Sequence, residues 1–107
     1  MSMLLGESLR VLPPTAVTHT AATGTSTAAT AIGGTGYYIF AVTKSAGDGV
    51  FVLWGTSTVA AASSSNGFPM SPGDKISFLV DGLTRTHFTV IRNGSTSEDF
   101  CHCKTGD

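Results

Sequence analysis

The clearest signal in the chain is a set of short runs in which neighbouring positions, rather than alternate ones, are hydrophobic. Tyr37-Tyr38-Ile39-Phe40-Ala41-Val42-Thr43 and Val50-Phe51-Val52-Leu53-Trp54 are rich in aromatic and β-branched residues, which suit a pleated, half-buried strand. Ser45-Ala46-Gly47-Asp48-Gly49 lies between them, and a Gly-bearing loop of that length predicts a β-hairpin. Further along, Lys75–Val80, Arg85–Ile91 and Ser97–Lys104 read as strands separated by Asp81-Gly82 and Asn93-Gly94. Asn-Gly is a strong hairpin signal, so the last two strands are expected to pair. Ser71-Pro72-Gly73-Asp74 puts Pro and Gly at the central positions of a type II turn. Upstream, Thr15–Ala31 holds seven Thr and six Ala in 17 residues. Linkers carry Pro, Gly, Ser and charge, whereas Thr favours strands. Weak, partly exposed strands are therefore expected at Ala16–Ala21 and Thr27–Ile32, with a turn at Thr23–Ser26 and a further weak candidate at Thr58–Ala62. No stretch carries a helical period. The expected fold is all-β, a single domain over residues 1–107, built as an antiparallel β-sandwich or a small jelly-roll-like barrel of about seven to nine short strands.

A strand with one wet face alternates apolar and polar residues. Here Tyr38, Phe40 and Val42 share one face while Tyr37, Ile39 and Ala41 share the other, and Val50, Val52 and Trp54 oppose Phe51 and Leu53. A tight Asn93-Gly94 hairpin would set Phe88 opposite Asp99 and His87 opposite Phe100. That register turns Ile91 and Phe100 away from Phe88 and Val90, unless a bulge intervenes. The pattern predicts that both faces are covered, one by the core and one by another subunit, because the chain has too little helix to cover an outer face itself. Tyr37 and Ile39 are accordingly interface candidates. Residues 1–14 supply the others: Leu4, Leu5, Leu9, Val11 and Leu12 have little core of their own to join, and Pro13-Pro14 stiffens the exit. Uncovered aliphatic side chains are an aggregation liability. The segment therefore reads as an interaction arm that orders against a neighbouring subunit, the alternative being an edge strand of its own domain.

Composition narrows the function. The chain is 41% hydrophobic and 12% charged, with six Lys and Arg against seven Asp and Glu. Such a balance disfavours disorder and offers no basic footprint for nucleic acid. No run approaches a membrane span, and the first residues lack the basic region of a signal peptide. From Val11 to Thr43 there is no Asp, Glu, Lys or Arg at all.

Candidate chemistry is thin. Cys101-His102-Cys103 has metal-ligand residue types, but the spacing departs from C-x2-C. On a strand His102 points away from both thiols, and a fourth ligand would have to come from His19 or His87. Free buried thiols are the expected state, with a disulfide disfavoured by geometry. No metal or cofactor is expected. Neither Gly24-Thr25-Ser26-Thr27 nor Gly55-Thr56-Ser57-Thr58 completes a G-x-S-x-G elbow, and Gly34-Thr35-Gly36 leads into Tyr37 without the Lys of a phosphate loop. No catalytic residues are assigned, and the chain is expected not to be an enzyme.

From Tyr37 to Asp107 the order of elements is distinctive. An aromatic strand is followed by Val50-Phe51-Val52-Leu53-Trp54-Gly55 and Thr56-Ser57-Thr58-Val59-Ala60, then Phe68-Pro69-Met70-Ser71-Pro72-Gly73. Thr86-His87-Phe88-Thr89-Val90-Ile91, a Gly-Ser turn and a closing strand complete it. This order, with its F-G-x-S-like and P-x-x-P-G motifs, resembles small β-rich virion proteins of tailed bacteriophages, which serve as capsid decoration (cement) proteins or minor virion components. The resemblance implies a non-enzymatic protein on the capsid surface, made in the host bacterial cytoplasm. Its partners would be the major capsid protein and further copies of itself, as a dimer or trimer. A tail or adaptor component is the alternative within that class. A carbohydrate- or surface-binding module, with Trp54, Tyr37 and Tyr38 stacking on sugars, is the alternative outside it.

Overall fold

A computed structural model describes residues 17–106, so the arm candidates Leu4, Leu5, Leu9, Val11 and Leu12 lie outside the described residues. Eight strands form in chain order: β1 (Thr18–Ala22), β2 (Thr30–Ala31), β3 (Gly36–Val42), β4 (Val50–Gly55), β5 (Phe68–Met70), β6 (Lys75–Val80), β7 (His87–Arg92) and β8 (Glu98–Gly106). They make two four-stranded sheets, ordered β1-β8-β3-β6 and β2-β7-β4-β5, with every described pairing antiparallel. The all-β sandwich expected from the sequence is the observed fold.

The ladders β1·β8, β2·β7, β3·β6 and β4·β5 show how the chain is wound. Its two halves run alongside each other from the 56–67 connection outward, as one long hairpin rolled into two layers. That is the jelly-roll order. It is an open sandwich rather than a closed barrel.

This winding overturns two expected hairpins. β3 and β4 lie in different sheets, as do β7 and β8, so Ser45–Gly49 and Asn93-Gly94 carry the chain between layers. Both loops sit at one end of the sandwich, where Asn93 N–H donates to the Gly49 carbonyl at 2.8 Å. The crossing resolves the awkward register of the tight hairpin. Phe88 pairs with Trp54 on β4 and Phe100 with Val42 on β3, so both rings point inward and meet across the sandwich at 5.2 Å. Gly49 makes its loop possible: its φ is +94°, and a side chain there would strike the Met70 carbonyl. Ser71–Asp74 forms the expected turn, closed by Asp74 N–H to the Ser71 carbonyl at 2.9 Å.

Phe40 is the centre of the core. It is fully buried, stacks on Phe78 and Phe100 of its own sheet, and meets Trp54 and Phe88 of the other edge-on. Val42, Val50, Val52, Val80 and Val90 fill the space around these rings.

Two further expectations fail. Thr58–Ala62 is not a strand, and Phe68–Met70, read only as a motif, is one. Pro69 is tolerated because β5 is an edge strand, where a missing N–H breaks no second ladder.

Candidate functional site: an open sheet face and an edge cleft

The two outer faces of the sandwich are finished differently. On the β2-β7-β4-β5 sheet, the connection 56–67 folds back over the strands. The Thr89 hydroxyl donates to the Ala60 carbonyl at 2.8 Å and is almost wholly buried. Ala62 N–H donates to Ser26 Oγ at 2.9 Å, and Gly67 packs so closely on Phe51 that a side chain there would collide with it. The outer side of β4 and β7 is thus partly covered by the chain's own loop, without helix: Thr89 is buried, and Phe51, Leu53 and Ile91 are half-buried. On this sheet the chain itself supplies part of the cover that the sequence pattern assigned to another subunit.

The β1-β8-β3-β6 sheet has no such cover among the described residues. The register aligns His19, Cys101, Ala41 and Lys75 in one row, then Cys103, Ile39 and Ser77, then Tyr37 and Leu79. Residues two apart on a strand share a face, so all of these point outward, opposite the buried Tyr38, Phe40, Val42, Phe100 and His102. Tyr37, Ile39, Ala41, Cys101 and Cys103 are half-buried by one another, and Leu79 is 43% exposed. The band they form is neutral. His19 and Asp99, 2.7 Å apart, flank it on the β1 side, and Lys75 marks the β6 edge. The interface candidates Tyr37 and Ile39 are brought together here.

Both cysteines are free, and they lie half-exposed on this face rather than in the core. The period of two puts both thiols on one face and His102 on the other, but the expectation that the thiols are buried is corrected, because theirs is the outer face and His102 takes the core. Burial, with Asp99 and Cys103 nearby, raises the Cys101 thiol above its ordinary pKa. His19, His102 and His87 fall respectively on one outer face, in the core and on the other sheet. Among the described residues no group of three or more His, Cys, Asp or Glu side chains is placed to hold a metal. No described helix is long and apolar enough to cross a membrane.

The sandwich also gapes at one edge, where β5 and β6 face each other without hydrogen bonding. A cleft of about 590 Å³ opens there, floored by Trp54, Ile76 and Phe78 and rimmed by Phe68, Leu79 and Arg85. Phe68 is 49% exposed, and the Arg85 guanidinium stands 6.0 Å from the centre of the Phe78 ring. Asp81 is at the rim, but its carboxylate is committed to its own loop. Oδ1 accepts from the N–H groups of Leu83, Thr84 and Arg85, and Oδ2 accepts from the Thr84 hydroxyl at 2.7 Å. The Thr84 hydroxyl, followed by those N–H groups, holds this carboxyl far below the usual carboxylate range. The cleft was not legible in the sequence, which puts Trp54 on one face of its strand with Val50 and Val52 but carries no sign that two sheet edges part beside it. Trp54 joins core to cleft, touching Phe40 on one side and Phe68 on the other. The stacking platform of Trp54, Tyr37 and Tyr38 does not exist: Tyr38 is only 5% exposed, facing the core, while Tyr37 faces the opposite way.

No family model, curated protein or solved structure matches the chain.

Proposed function

We propose that this is a non-enzymatic virion protein that decorates the outside of a bacteriophage capsid, docking through the open face of its β1-β8-β3-β6 sheet and stabilising the shell. The observation that carries the reading is the contrast between the two outer faces. One is partly covered by the chain's own loop, while the other has no such loop among the described residues and presents a neutral band of Tyr37, Ile39, Ala41, Cys101, Cys103 and Leu79 for another protein to cover. Assembly interfaces are built from such surfaces, with charge moved to the rim. The resemblance of residues Tyr37–Asp107 to tailed-phage decoration proteins points the same way. Jelly rolls serve capsid and lectin proteins alike, so the fold supports the reading without choosing it. Docking as a dimer or trimer would bridge neighbouring capsomers, and the major capsid protein is the partner.

The test is to mix the protein with undecorated shells of its phage and count bound copies. Hundreds per particle, with Cys101 and Cys103 shielded from a thiol reagent once bound, support the proposal. A handful confined to one vertex points instead to a connector or tail role. Binding that survives Ile39→Asp shows that this face is not the docking surface.

A further inference from the structure

The edge cleft has the makings of a receptor for an extended peptide. Among the described residues β6 pairs only with β3 and β5 only with β4, so β6 presents an edge whose outer main-chain groups could accept another strand. Beneath that edge lies the aromatic floor of Trp54 and Phe78. At the rim stands Arg85, exposed and without an ion pair among the described residues. An occupant that fits should be extended, should place an aliphatic side chain over the rings, and should bring an acid to Arg85.

The chain contains such a segment. In Met3-Leu4-Leu5-Gly6-Glu7-Ser8-Leu9, an extended backbone puts Met3, Leu5, Glu7 and Leu9 on one side. Glu7 is the only acidic residue before Asp48. Positions two apart on a strand are separated by about 6.6 Å, close to the 6.0 Å between the Phe78 ring centre and the Arg85 guanidinium. With Leu5 against Trp54 and the rim of the Phe78 ring, whose faces meet Phe40 and Arg85, Glu7 one repeat along comes within reach of the Arg85 guanidinium. Length permits it as well. From β1 to a strand added outside β6 is four strand spacings, about 19 Å, whereas the chain from Leu9 to Val17, extended through Pro13-Pro14, reaches about 26 Å.

We propose that residues 3–9 fill the cleft of their own chain, adding a strand to β6, seating Leu5 on Trp54 and Phe78, and pairing Glu7 with Arg85. The cleft shares only Leu79 with the open face proposed for docking, and its occupancy is tested without shells, so the two readings can fail separately.

Trp54 is the only tryptophan, so its fluorescence reports the cleft directly. The assay is acrylamide quenching of the full chain and its variants over a wide range of protein concentrations. In the parent, Trp54 should be shielded to the same degree at every concentration. Leu5→Asp should open it to quencher about as fully as solvent access to the empty cleft allows, with the melting temperature of the sandwich retained. Arg85→Glu should weaken closure about two- to fivefold, the worth of one surface ion pair, and Glu7→Lys combined with Arg85→Glu should restore it. The proposal is overturned if Leu5→Asp leaves quenching unchanged, if the charge reversal brings no recovery, or if shielding appears only as concentration rises, which would assign the cleft to a segment from a second copy.

Discussion

Phe40 is the position at which the two-layer architecture is most open to challenge. Its side chain is fully buried and links the sheets through rings 5.4 Å away at Trp54 and 6.5 Å away at Phe88. Within its own sheet it lies 5.0 Å from Phe78 and 6.1 Å from Phe100. Phe40→Ala removes the ring and leaves a cavity that these neighbours, held by their own strands, fill only in part; such truncations are worth about 3–5 kcal/mol. A domain of this size has roughly 5–15 kcal/mol in all, so a large share of its stability is at stake. At about 4–8 °C per kcal/mol, the melting temperature should fall by roughly 12–40 °C. Phe40→Leu keeps most of the apolar volume and loses the ring pairs, so about 1–1.5 kcal/mol is expected. Leu83→Ala, at a side chain 78% exposed, should stay within about 0.5 kcal/mol. Urea unfolding followed by Trp54 fluorescence measures all three, because the indole touches Phe40. A Phe40→Ala protein that unfolds cooperatively within about 1 kcal/mol of the parent would refute the packing described here.

Three further outcomes are expected. Ile39→Asp should change monomer stability far less than Phe40→Ala yet abolish binding to shells, checked by paired melting and co-sedimentation. Glu98, buried where β8 begins, accepts hydrogen bonds from the Ser45 hydroxyl at 2.6 Å and from Gly49 N–H at 3.3 Å; Glu98→Ala should lower unfolding free energy by about 1–3 kcal/mol by orphaning those donors. His102 is held neutral: burial lowers its pKa below 6.5, against a smaller upward pull from its hydrogen bond to the Ile32 carbonyl. The unfolded chain therefore takes up this proton first. The stability it contributes is complete above about pH 6.5 and declines as pH falls toward the lowered folded-state value, so the urea midpoint should drop on acidification and His102→Gln should flatten that part of the profile.

The residue-by-residue alternation of β3, β4 and β8 was legible in the sequence, because a period of two is a property of the strand itself. It placed Phe40 and Ile39 on opposite faces, and it turned His102 away from Cys101 and Cys103, before any partner strand was known. The turns at Ser71–Asp74 and Asp81-Gly82 were legible for the same reason: Pro and Gly restrict or release φ wherever they stand. Asn93-Gly94 marks the limit of such reasoning. Its chemistry specifies a reversal of the chain, but not whether the returning strand stays in the same sheet. That choice belonged to Phe88 and Phe100, which a tight hairpin without a bulge would turn to opposite faces and which both reach the core with β7 and β8 in opposite layers. Strand partners far apart in sequence, such as His19 with Cys101, are fixed by the whole core settling at once, and no local signal encodes them. The same holds for the 56–67 loop and the edge cleft. Residues that look alike in the sequence, Phe51 with a loop packed on it and Ile39 on the sheet without one, acquire different surroundings only when tertiary packing decides where the chain folds back on itself.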